Sequence, residues 1–423
     1  MDGLDVGVAG CGTAGAAAAL FLARAGHRVT VYERVADPGA VGAGITLQPT
    51  GQAVLARLGL LAPILARGAR LDRLHAVRHG GRRLVDLRYA DVAPGRFGLG
   101  LHRGTLFATL FDAVRREPGV ALRLGAGVTG MTRDGAAVLV HGTPTATRTA
   151  STATPTATTD PTTAPAVLGR HDLLIAADGS ISELHASAGV PVRAREYPWG
   201  ALWFVADDPD LAFRDVLYQV VRGARRMYGL LPTGRGPERD VPVVSLYWSL
   251  RVADHARWRA AGLAAWKDEL AGFDPRVGPV LAQITDPAQV VLARYRDVRM
   301  PRWHGDGVVF LGDAAHAMSP QLGQGVNLAL WDAMVLADAV AVSADLPAAL
   351  ATYSAARRHH LRHYQRMTRL LTPLFQSSSR LLGWLRDRVM PLADRVGPLH
   401  RLMVRTMIGL EQGLARAPLA LPE

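Results

Sequence analysis

The most constraining feature of the chain is a strand–turn–helix–strand pattern at its start, built around three glycines. Residues 4–9 have the apolar composition of a short buried strand, and the turn Gly10-Cys11-Gly12-Thr13-Ala14-Gly15 follows directly. Residues 16–25 are rich in Ala and Leu, as in a helix, and residues 27–32 have the composition of a second strand. Strand, helix and strand joined by short turns predict a parallel βαβ unit, which opens an α/β fold.

Each glycine of this turn has a physical role in binding a dinucleotide. Gly10 permits a tight turn, Gly12 lets the backbone approach a pyrophosphate, and Gly15 lets the helix pack closely on the strand. The helix N-terminus then offers N–H groups and a partial positive charge to the phosphates. Glu33 ends the second strand about 20 positions after Gly10, where its carboxylate can accept hydrogen bonds from ribose hydroxyls. The pattern therefore predicts a dinucleotide site.

Composition excludes several classes of protein. Of the 423 residues 49% are hydrophobic and 20% charged, so the chain can bury a core and is not expected to be disordered. Cys11 is the single cysteine, which excludes a disulfide framework and a cysteine-rich metal site. The net charge of +12 comes without a nucleic-acid-binding motif, so we expect no nucleic-acid partner. The start lacks a signal-peptide pattern and no uninterrupted apolar stretch reaches about 18 residues, which predicts a cytoplasmic protein.

Two further segments have the pattern of a buried strand followed by an acidic turn. Residues 172–177 predict a parallel strand that ends at Asp178-Gly179. Residues 308–311 predict another, which ends at Gly312-Asp313 and precedes a glycine-containing loop and a helix over 326–341. Because the carboxyl ends of parallel strands meet at one edge of a sheet, both turns are expected near the opening glycine turn.

The rest of the chain divides by composition. Residues 199–250 alternate aromatic and aliphatic side chains, with a turn expected at Pro232-Thr233-Gly234, which predicts an antiparallel sheet. Residues 143–166 are rich in Thr, Ala and Pro and have few large apolar side chains, so we expect a flexible loop between two strands. Residues 346–414 have helical periodicity punctuated by prolines.

Three separated signatures, taken in order, resemble one family. They are the opening glycine turn, the Asp178-Gly179 turn and the Gly312-Asp313 segment; three supporting matches are Gly42-Ala43-Gly44-Ile45, His102-Arg103-Gly104-Thr105-Leu106 and residues 320–327. Over about residues 4–365 the chain resembles the single-component FAD-dependent aromatic hydroxylases, the para-hydroxybenzoate hydroxylase-like flavoprotein monooxygenases. It departs from them at His185, because the family commonly has an arginine a few positions after the Asp-Gly segment.

The resemblance implies an α/β fold: a Rossmann-like FAD-binding domain, an inserted antiparallel-sheet substrate domain and C-terminal helices. We expect the FAD-binding domain in residues 1–74, 98–186 and 290–365, with the Thr/Pro-rich flexible loop inside it. The substrate-binding sheet is expected in residues 75–97 and 187–289. The C-terminal helical region is expected in residues 366–423.

The same resemblance implies that FAD is bound non-covalently by residues from distant parts of the chain. Those expected to bind it are Gly10, Gly12, Ala14, Gly15, Glu33, Arg34, Gly44, Ile45, Arg103, Asp178, Gly312, Asp313, Pro320, Gly323, Gln324, Gly325, Val326 and Asn327. Pro320, Gly323 and Gly325 form the expected catalytic, flavin-facing loop, and no side-chain acid or base is assigned. Gly323 and Gly325 let backbone approach the flavin, and the following helix N-terminus can stabilise negative charge on it.

The family's chemistry implies the reaction. NADPH or NADH reduces FAD, O2 adds to give a flavin C4a-hydroperoxide, and an electron-rich substrate is hydroxylated. We expect a bulky aromatic, polyketide-like or polyunsaturated natural product, bound against a wall formed by Trp203, Tyr218, Met227, Tyr228, Leu231 and Trp248. An epoxidase, reductase or halogenase of the same fold is an alternative, as is a non-catalytic scaffold that binds FAD or a prenyl group.

The C-terminal region interleaves arginine with large apolar side chains at helical spacing, among them Leu370, Leu381, Trp384 and Leu385. We expect this face to pack on the FAD-binding domain; the alternatives are that it covers a hydrophobic substrate channel or rests on anionic lipid. We expect a monomer or homodimer with no stable membrane association. His359, His360 and His363 lie among arginines, which predicts a solvated basic face and no metal site.

Overall fold

The fold is taken from a computed structural model that describes residues 3–39, 42–92, 94–144, 166–238, 240–413 and 416–421. Its strands are β1 (Asp5–Ala9), β2 (Arg28–Glu33), β3 (Gly44–Leu47), β4 (Ala69–Arg78), β5 (Arg83–Arg88), β6 (Gly98–His102), β7 (Val120–Leu124), β8 (Ala126–Asp134), β9 (Ala137–Pro144), β10 (Ala166–His171), β11 (Leu173–Ala176), β12 (Arg193–Asp207), β13 (Asp215–Arg222), β14 (Arg226–Arg235), β15 (Pro242–Arg251), β16 (Val291–Arg299), β17 (His304–Gly305) and β18 (Val308–Phe310).

The helices alternate with these strands in the first half of the chain and dominate its end. They are α1 (Thr13–Arg24), α2 (Pro49–Arg57), α3 (Leu61–Arg67), α4 (Arg103–Arg116), α5 (Leu184–Ser187), α6 (His255–Ala261), α7 (Leu263–Ala271), α8 (Gly278–Ala282), α9 (Asp313–His316), α10 (Gly325–Val342), α11 (Leu346–Phe375), α12 (Arg380–Ala393) and α13 (Gly397–Ile408). The Ala-rich α1 packs against both α4 and α10 beside the first sheet, because small side chains let helices approach closely.

A six-stranded sheet forms the predicted α/β body. Its strand order is β17-β18-β11-β1-β2-β7, and neighbours run parallel except in the short β17–β18 pair. Strands β11 and β18 are buried along their whole length, as is usual where helices cover a parallel sheet. The opening βαβ unit and the α/β fold are confirmed, and the carboxyl ends of β1, β11 and β18 meet at one edge.

A nine-stranded sheet forms the second layer. Its order is β16-β12-β15-β14-β13-β4-β6-β3, with β5 paired to β4, and its neighbours are antiparallel except for β13 with β4. The predicted antiparallel sheet is therefore confirmed. Strands β8, β9 and β10 form a small antiparallel sheet of their own. Residues 145–165, most of the Thr/Pro-rich segment expected to be a flexible loop, lie between β9 and β10 and outside the described residues.

The nine-stranded sheet has two faces with different neighbours. On one, here called the inner face, the sheet curls so that the Gly44 N–H of β3 donates to Ser245 Oγ of β15 at 2.9 Å. The other, here called the outer face, is covered by α6, α7 and α8, whose Trp258 and Trp266 share a core with Trp248. Side chains alternate along each strand, so neighbouring positions belong to different faces.

Strand pairing and helix bounds correct two sequence predictions. The turn expected at Pro232-Thr233-Gly234 is wrong: these residues lie within β14, whose pairing with β15 continues past an irregularity to Arg235 and Pro242. Pro373 and Pro391 lie inside α11 and α12 and do not end them, although the helices themselves are confirmed.

Several strands bear on the expected division into domains: β3, β6 and the first part of β4 lie in the nine-stranded sheet, although their residues were expected in the FAD-binding domain. Residues 290–365 were assigned to the FAD-binding part, yet β16 pairs along β12 in the nine-stranded sheet. The pairing therefore favours moving residues 291–299 to the substrate-binding sheet. The rest of the division remains a prediction.

The expected packing of the C-terminal apolar face holds only in part. Leu361 and Phe375 of α11 are buried, whereas Leu370 of α11 and Leu381, Trp384 and Leu385 of α12 are exposed. The buried side of α12 carries Gly383 and Arg386. Among the described residues, α10 is long and apolar enough to cross a bilayer by length and composition. It is 67% buried, with α1, α2 and α11 packed around it, so it is a core helix.

Candidate active site

The glycine turn between β1 and α1 combines crowded and open positions. Gly10 has φ +94°, and a Cβ there would lie 2.6 Å from the carbonyl oxygen of Ala177. A Cβ on Gly15 would clash with the carbonyl oxygen of Gly10, whereas one on Gly12 would meet no atom within 4 Å. No side chain caps the first turn of α1. The turn therefore leaves an open backbone surface with free N–H groups, as a phosphate-bearing ligand requires.

Glu33 and Arg34 lie beside this turn at the end of β2. The Glu33 carboxylate accepts a hydrogen bond from the Cys11 N–H at 2.9 Å through Oε2. Burial raises the pKa of the Cys11 thiol to about 12, and the nearby Glu33 charge adds to the effect. Cys11 is therefore an uncharged, unreactive thiol. The acidic residue stands where the sequence predicted it, at the same edge as the glycines.

Asp178 follows β11 and lies against the same turn. A Cβ on Gly10 would lie 3.1 Å from the Asp178 Cα. Burial raises the pKa of Asp178, and its Oδ1 is a buried oxygen with no hydrogen-bond partner among the described residues. His185 lies in the segment where the family commonly has an arginine. Its Nε2 hydrogen-bonds with the carbonyl oxygen of Ala314 at 2.7 Å. It thus joins α5 to α9.

The Gly312-Asp313 segment follows β18 at the adjacent strand end. Gly312 has φ +58°, and a Cβ there would lie 3.1 Å from the Ala14 Cβ, so this turn packs directly on α1. The side chain of Asp313 is exposed, and no described residue pairs with its carboxylate. Asp313 is thus an available hydrogen-bond acceptor at the edge that holds the glycine turn.

The loop before α10 is tied to β3 by one buried amide. Asn327 Oδ1 accepts from the Gln48 N–H at 2.8 Å, and its Nδ2 donates to the carbonyl oxygens of Thr46 at 3.1 Å and Gly323 at 3.2 Å. Gln324 Nε2 donates to the Met407 carbonyl oxygen at 2.6 Å. These bonds hold the loop, which contains Pro320 and leads into Val326, beside Gly44 and Ile45.

Gly323 and Gly325 leave the surface of this loop open. Gly323 has φ +62°, and a Cβ on either glycine would meet no atom within 4 Å. The N-terminus of α10 has no side-chain cap. Arg103 begins α4 nearby, where its N–H donates to the Ala43 carbonyl oxygen at 3.1 Å and its side chain is exposed. The predicted cofactor residues are therefore brought together from segments far apart in the chain.

A buried ionic network behind Gly312 was not predicted from the sequence. Asp332, fully buried in α10, accepts from the Gly312 N–H at 2.9 Å, from His316 Nε2 at 2.6 Å and from Arg357 Nε at 2.7 Å. Burial alone would raise the pKa of Asp332, but His316, Arg357 and the Gly312 N–H lower it to about 2. The network fixes the Gly312 turn by a charge-assisted hydrogen bond.

The same network corrects part of the predicted solvated basic face on α11, where Arg358, His359 and Arg362 are exposed but Arg357 and His360 are not. Arg357 and His360 are each 1% exposed. Arg357 Nη1 lies 2.6 Å from His360 Nδ1, and His360 Nε2 lies 2.8 Å from the Gly409 carbonyl oxygen. Burial and the Arg357 charge hold the pKa of His360 well below its usual value, so it is neutral. From sequence alone, an arginine on a helix is expected to be exposed to solvent. Only the structure shows that Asp332, from another helix, pairs with Arg357 and allows its burial.

The six residues predicted to form one substrate wall lie on two faces of the sheet. Trp203, Met227 and Leu231 are on the inner face. Tyr218, Tyr228 and Trp248 belong to the outer face, in contact with the core under α6, α7 and α8. These three residues are therefore wrong as members of the wall. Successive side chains of a strand lie on opposite faces, so Tyr228, which directly follows Met227 in β14, belongs to the other face.

Sequence analysis missed three side chains of the inner face, which are Gln219, Tyr247 and Tyr295. Trp203 pairs with Tyr247 across β12 and β15, and Trp203 Nε1 donates to the Tyr295 hydroxyl at 3.3 Å. Tyr247 hydrogen-bonds with Gln219, and burial raises its pKa. Burial also raises the pKa of Tyr295 to about 12. The inner face thus presents aromatic rings and neutral polar groups, a set that the alternation through Trp203 and Met227 could have indicated.

These features fit a flavin dinucleotide. The open backbone at Gly12 and the uncapped α1 suit a pyrophosphate, Glu33 suits a ribose, and the exposed Asp313 suits a further sugar-like hydroxyl. Together with the unpartnered Asp178 Oδ1 and the open Gly323 and Gly325, these groups form the candidate FAD cradle. Fold and site together define the class, a flavin-dependent oxidoreductase.

Comparison with known proteins gives the family. Residues 3–368 match the FAD binding domain family, so the chain belongs to that family. It is 29% identical to kynurenine 3-monooxygenase of Salinispora arenicola (strain CNS-205), over 97% of this chain and 90% of that protein. It is 26% identical to 6-methylpretetramide 4-monooxygenase of Streptomyces rimosus, over 97% of this chain and 93% of that protein.

A solved structure supports the fold. Klebsiella pneumoniae HpxO, complexed with FAD and uric acid, superposes with a TM-score of 0.77 at 24% identity, covering 96% of this chain and 97% of that one. The protein is an FAD-dependent monooxygenase with the fold of this class, as the resemblance implied.

Proposed function

We propose that this monooxygenase hydroxylates a bulky, uncharged aromatic or polyunsaturated natural product in the cytoplasm, with NADPH or NADH as reductant. In the balanced reaction, substrate–H, NAD(P)H, H⁺ and O2 give substrate–OH, NAD(P)⁺ and water. The observation that carries the substrate class is the inner face, where Trp203, Tyr247 and Tyr295 offer rings and protonated hydroxyls. A relative named as a 6-methylpretetramide monooxygenase supports a polycyclic substrate.

Bound FAD would supply the redox chemistry that transfers electrons from NAD(P)H to O2. We propose that the chain holds it with the backbone of the glycine turn, with Glu33, Arg103, Asp178 and Asp313, and with the loop from Pro320 to Asn327. The uncapped N-terminus of α10 stabilises negative charge beside Gly323 and Gly325. Asn327 and Pro320 keep that loop in place, and the two sheets exclude water from the space between them.

Substrate orientation falls to the inner face. Tyr247 and Tyr295 keep their protons at neutral pH, so each can donate a hydrogen bond to a substrate carbonyl or hydroxyl oxygen. Trp203 and Met227 provide apolar contact area at half-buried and buried positions. We assign no general acid or base among the described residues of this face.

The test is a substrate panel supplied with ¹⁸O2 and either NADPH or NADH. We expect bulky neutral polycyclic aromatics to accelerate NAD(P)H oxidation and to gain one labelled oxygen atom. Matched compounds that carry a carboxylate should react more slowly, because a charged group loses its hydration on entering an apolar, aromatic surface. Release of hydrogen peroxide without labelled product across the panel would contradict the proposal. Addition of one labelled oxygen atom across a double bond would indicate epoxidation instead.

A further inference from the structure

Helix α12 carries five of its large apolar side chains on the side that faces away from the protein, while Leu382 and Met390 are half-buried on the other side. Leu381, Trp384, Leu385, Val389 and Leu392 are 68%, 52%, 42%, 50% and 61% exposed. Their spacing of three, one, four and three residues places them on one side of a helix. We call these five residues the α12 stripe. Leu370, Val396 and Leu399, in segments before and after α12, are exposed as well.

The opposite side of α12 is anchored by polar contacts. Arg386 is 1% exposed, and its Nη1 donates to the carbonyl oxygens of Gly223 and Leu374, both at 3.0 Å. Its Nη2 bonds Asp387 Oδ1 at 2.6 Å. A soluble helix normally buries its apolar side and exposes its charges. Here a buried arginine fixes the helix in the reverse orientation, so the stripe is a built feature of the surface and not a frayed end.

Two arginine-lined cavities flank the stripe. One, of about 600 Å³, is lined by residues that include Arg222, Arg225, Arg226, Arg251, Arg380, Asp254 and Glu269. The other, of about 590 Å³, is lined by residues that include Arg78, Arg82, Arg83, Arg388, Arg395 and Asp387. Ten arginines thus face three carboxylates, of which Glu269 already pairs with Arg226 and Asp387 with Arg386.

We propose that the α12 stripe binds the surface of an anionic phospholipid bilayer. The apolar side chains would enter the boundary of headgroups and acyl chains, and lipid phosphates would pair with the arginines of the two cavities. Trp384, with the Arg388 guanidinium 4.6 Å from its ring centre, has the amphipathic character typical of residues at this depth. This proposal replaces the expectation of no stable membrane association.

Charge decides between a bilayer and the other occupants of such a surface. A second copy of the chain would bring two sets of arginines together, and like charges oppose that contact. An acidic protein would satisfy the arginines, but it would also need an apolar groove shaped to one protruding helix. A bilayer supplies negative charge and an adaptable apolar layer together.

The experiment is flotation of the FAD-loaded enzyme with vesicles at 0.15 M salt, an ionic strength at which exposed charges still act within about 8 Å. We expect it to float with 70:30 phosphatidylcholine:phosphatidylglycerol vesicles, to stay behind with phosphatidylcholine alone, and to lose binding in high salt. The double variant Leu385→Glu/Val389→Glu should reduce bound protein about tenfold, which is the loss produced by roughly 1.4 kcal/mol. Arg388→Glu/Arg395→Glu, which replaces two arginines that line the second cavity, should also reduce binding to the anionic vesicles.

Two controls separate binding from misfolding. Val342→Glu changes an even more exposed aliphatic residue, 79% exposed, at the end of α10 and outside α12. It should leave flotation unchanged. All variants should keep their flavin absorbance near 450 nm. Trp384 is the one exposed tryptophan of the eight, all of which are described, so its emission should shift to the blue on binding. Trp384→Phe should bind without that shift.

Three results would overturn the proposal. The first is no flotation with the anionic vesicles. The second is flotation that Leu385→Glu/Val389→Glu leaves unchanged, because binding would then lie elsewhere. The third is a wild-type dimer in analytical ultracentrifugation that the same double variant dissociates, which would assign the α12 stripe to a second copy of the chain.

Discussion

At the scale of single residues, the three glycines of the first turn differ in what their missing side chain makes possible. Gly15 avoids a clash with the backbone of Gly10 and is needed for the turn to form, whereas Gly12 faces empty space. The first is a requirement of folding and the second a requirement of ligand binding. This difference separates two roles that a glycine motif in a sequence presents as one.

A pair of variants tests that separation. Gly12→Val should give a folded but colourless protein, because the new side chain fills the space for the FAD pyrophosphate without touching the chain. Gly15→Val should lower the melting temperature strongly, since its side chain meets backbone. The measurements are absorbance near 450 nm and thermal unfolding of both proteins. Normal flavin content in Gly12→Val would show that the phosphate site is placed wrongly.

Loss of the Asp332 carboxylate should cost much of the protein's stability. Asp332→Ala leaves the fully buried Arg357 without its carboxylate, and breaking a buried ion pair costs about 3–5 kcal/mol. Asp332→Asn should cost less, because the amide oxygen can still accept from Gly312 or Arg357. Denaturant unfolding of the two variants measures the difference. Equal stability of Asp332→Ala and the wild type would mean that the network contributes nothing.

The same residue predicts a pH dependence with a definite sign. The folded pKa of Asp332, about 2, lies below the ordinary value of 3.8 for an aspartate side chain. Its contribution to stability is therefore fully present above about pH 4 and is lost as the pH falls toward 2. Wild-type unfolding free energy should fall across this window more than that of Asp332→Asn. The opposite order would show that other carboxylates dominate acid unfolding.

At the scale of the element, the two faces of the nine-stranded sheet separate substrate contact from core packing. Trp203 and Trp248 make a matched pair on neighbouring strands. Trp248→Ala should cost about 3–5 kcal/mol of stability, because it leaves a cavity in the outer-face core. Trp203→Ala should mainly raise KM for bulky substrates while the fold survives. Unfolding curves and steady-state kinetics on both proteins test this, and equal effects on both readouts would contradict it.

The long connection between β9 and β10 is a second element-scale case. These strands are antiparallel neighbours, with Gly142 paired to Ala166. Deleting residues 145–164 leaves Thr143, Pro144 and Pro165 between that pair, which is long enough for a short hairpin loop. We expect flavin content and melting temperature to stay nearly unchanged. A large fall in melting temperature would show that the deleted segment packs on the body.

At the scale of the whole molecule, the candidate FAD site draws residues from both ends of the folded body. Gly12 and Glu33 come from the first strands, and Asp313 and Gly323 come from the last part of the same sheet and its following loop. FAD binding should therefore stabilise the native chain: free FAD at a hundredfold excess over its Kd adds about 2.7 kcal/mol. Unfolding of stripped and reloaded protein measures this, and Gly12→Val should show no such gain.

The sequence alone determined the parts that depend on local pattern. The glycine turn, the strand before it and the acidic residue after β2 have fixed spacings, because a tight turn and close packing of helix on strand demand glycine at particular positions. The three strand-end signatures predicted the shared edge for the same reason. Family resemblance added the cofactor and the residues proposed to bind it.

Only the tertiary structure decided which side of each amphipathic element is covered. Alternation in β14 distinguishes Met227 from Tyr228, but the side that faces the cradle depends on α6 to α8 occupying the other. Asp332 and Arg357 stand 25 positions apart, and only their packing makes them a pair. Periodicity reveals an apolar face in α12 but not its orientation, which the burial of Arg386 sets. The sequence shows which side chains share a face of a helix or strand, whereas long-range contacts determine what packs against that face.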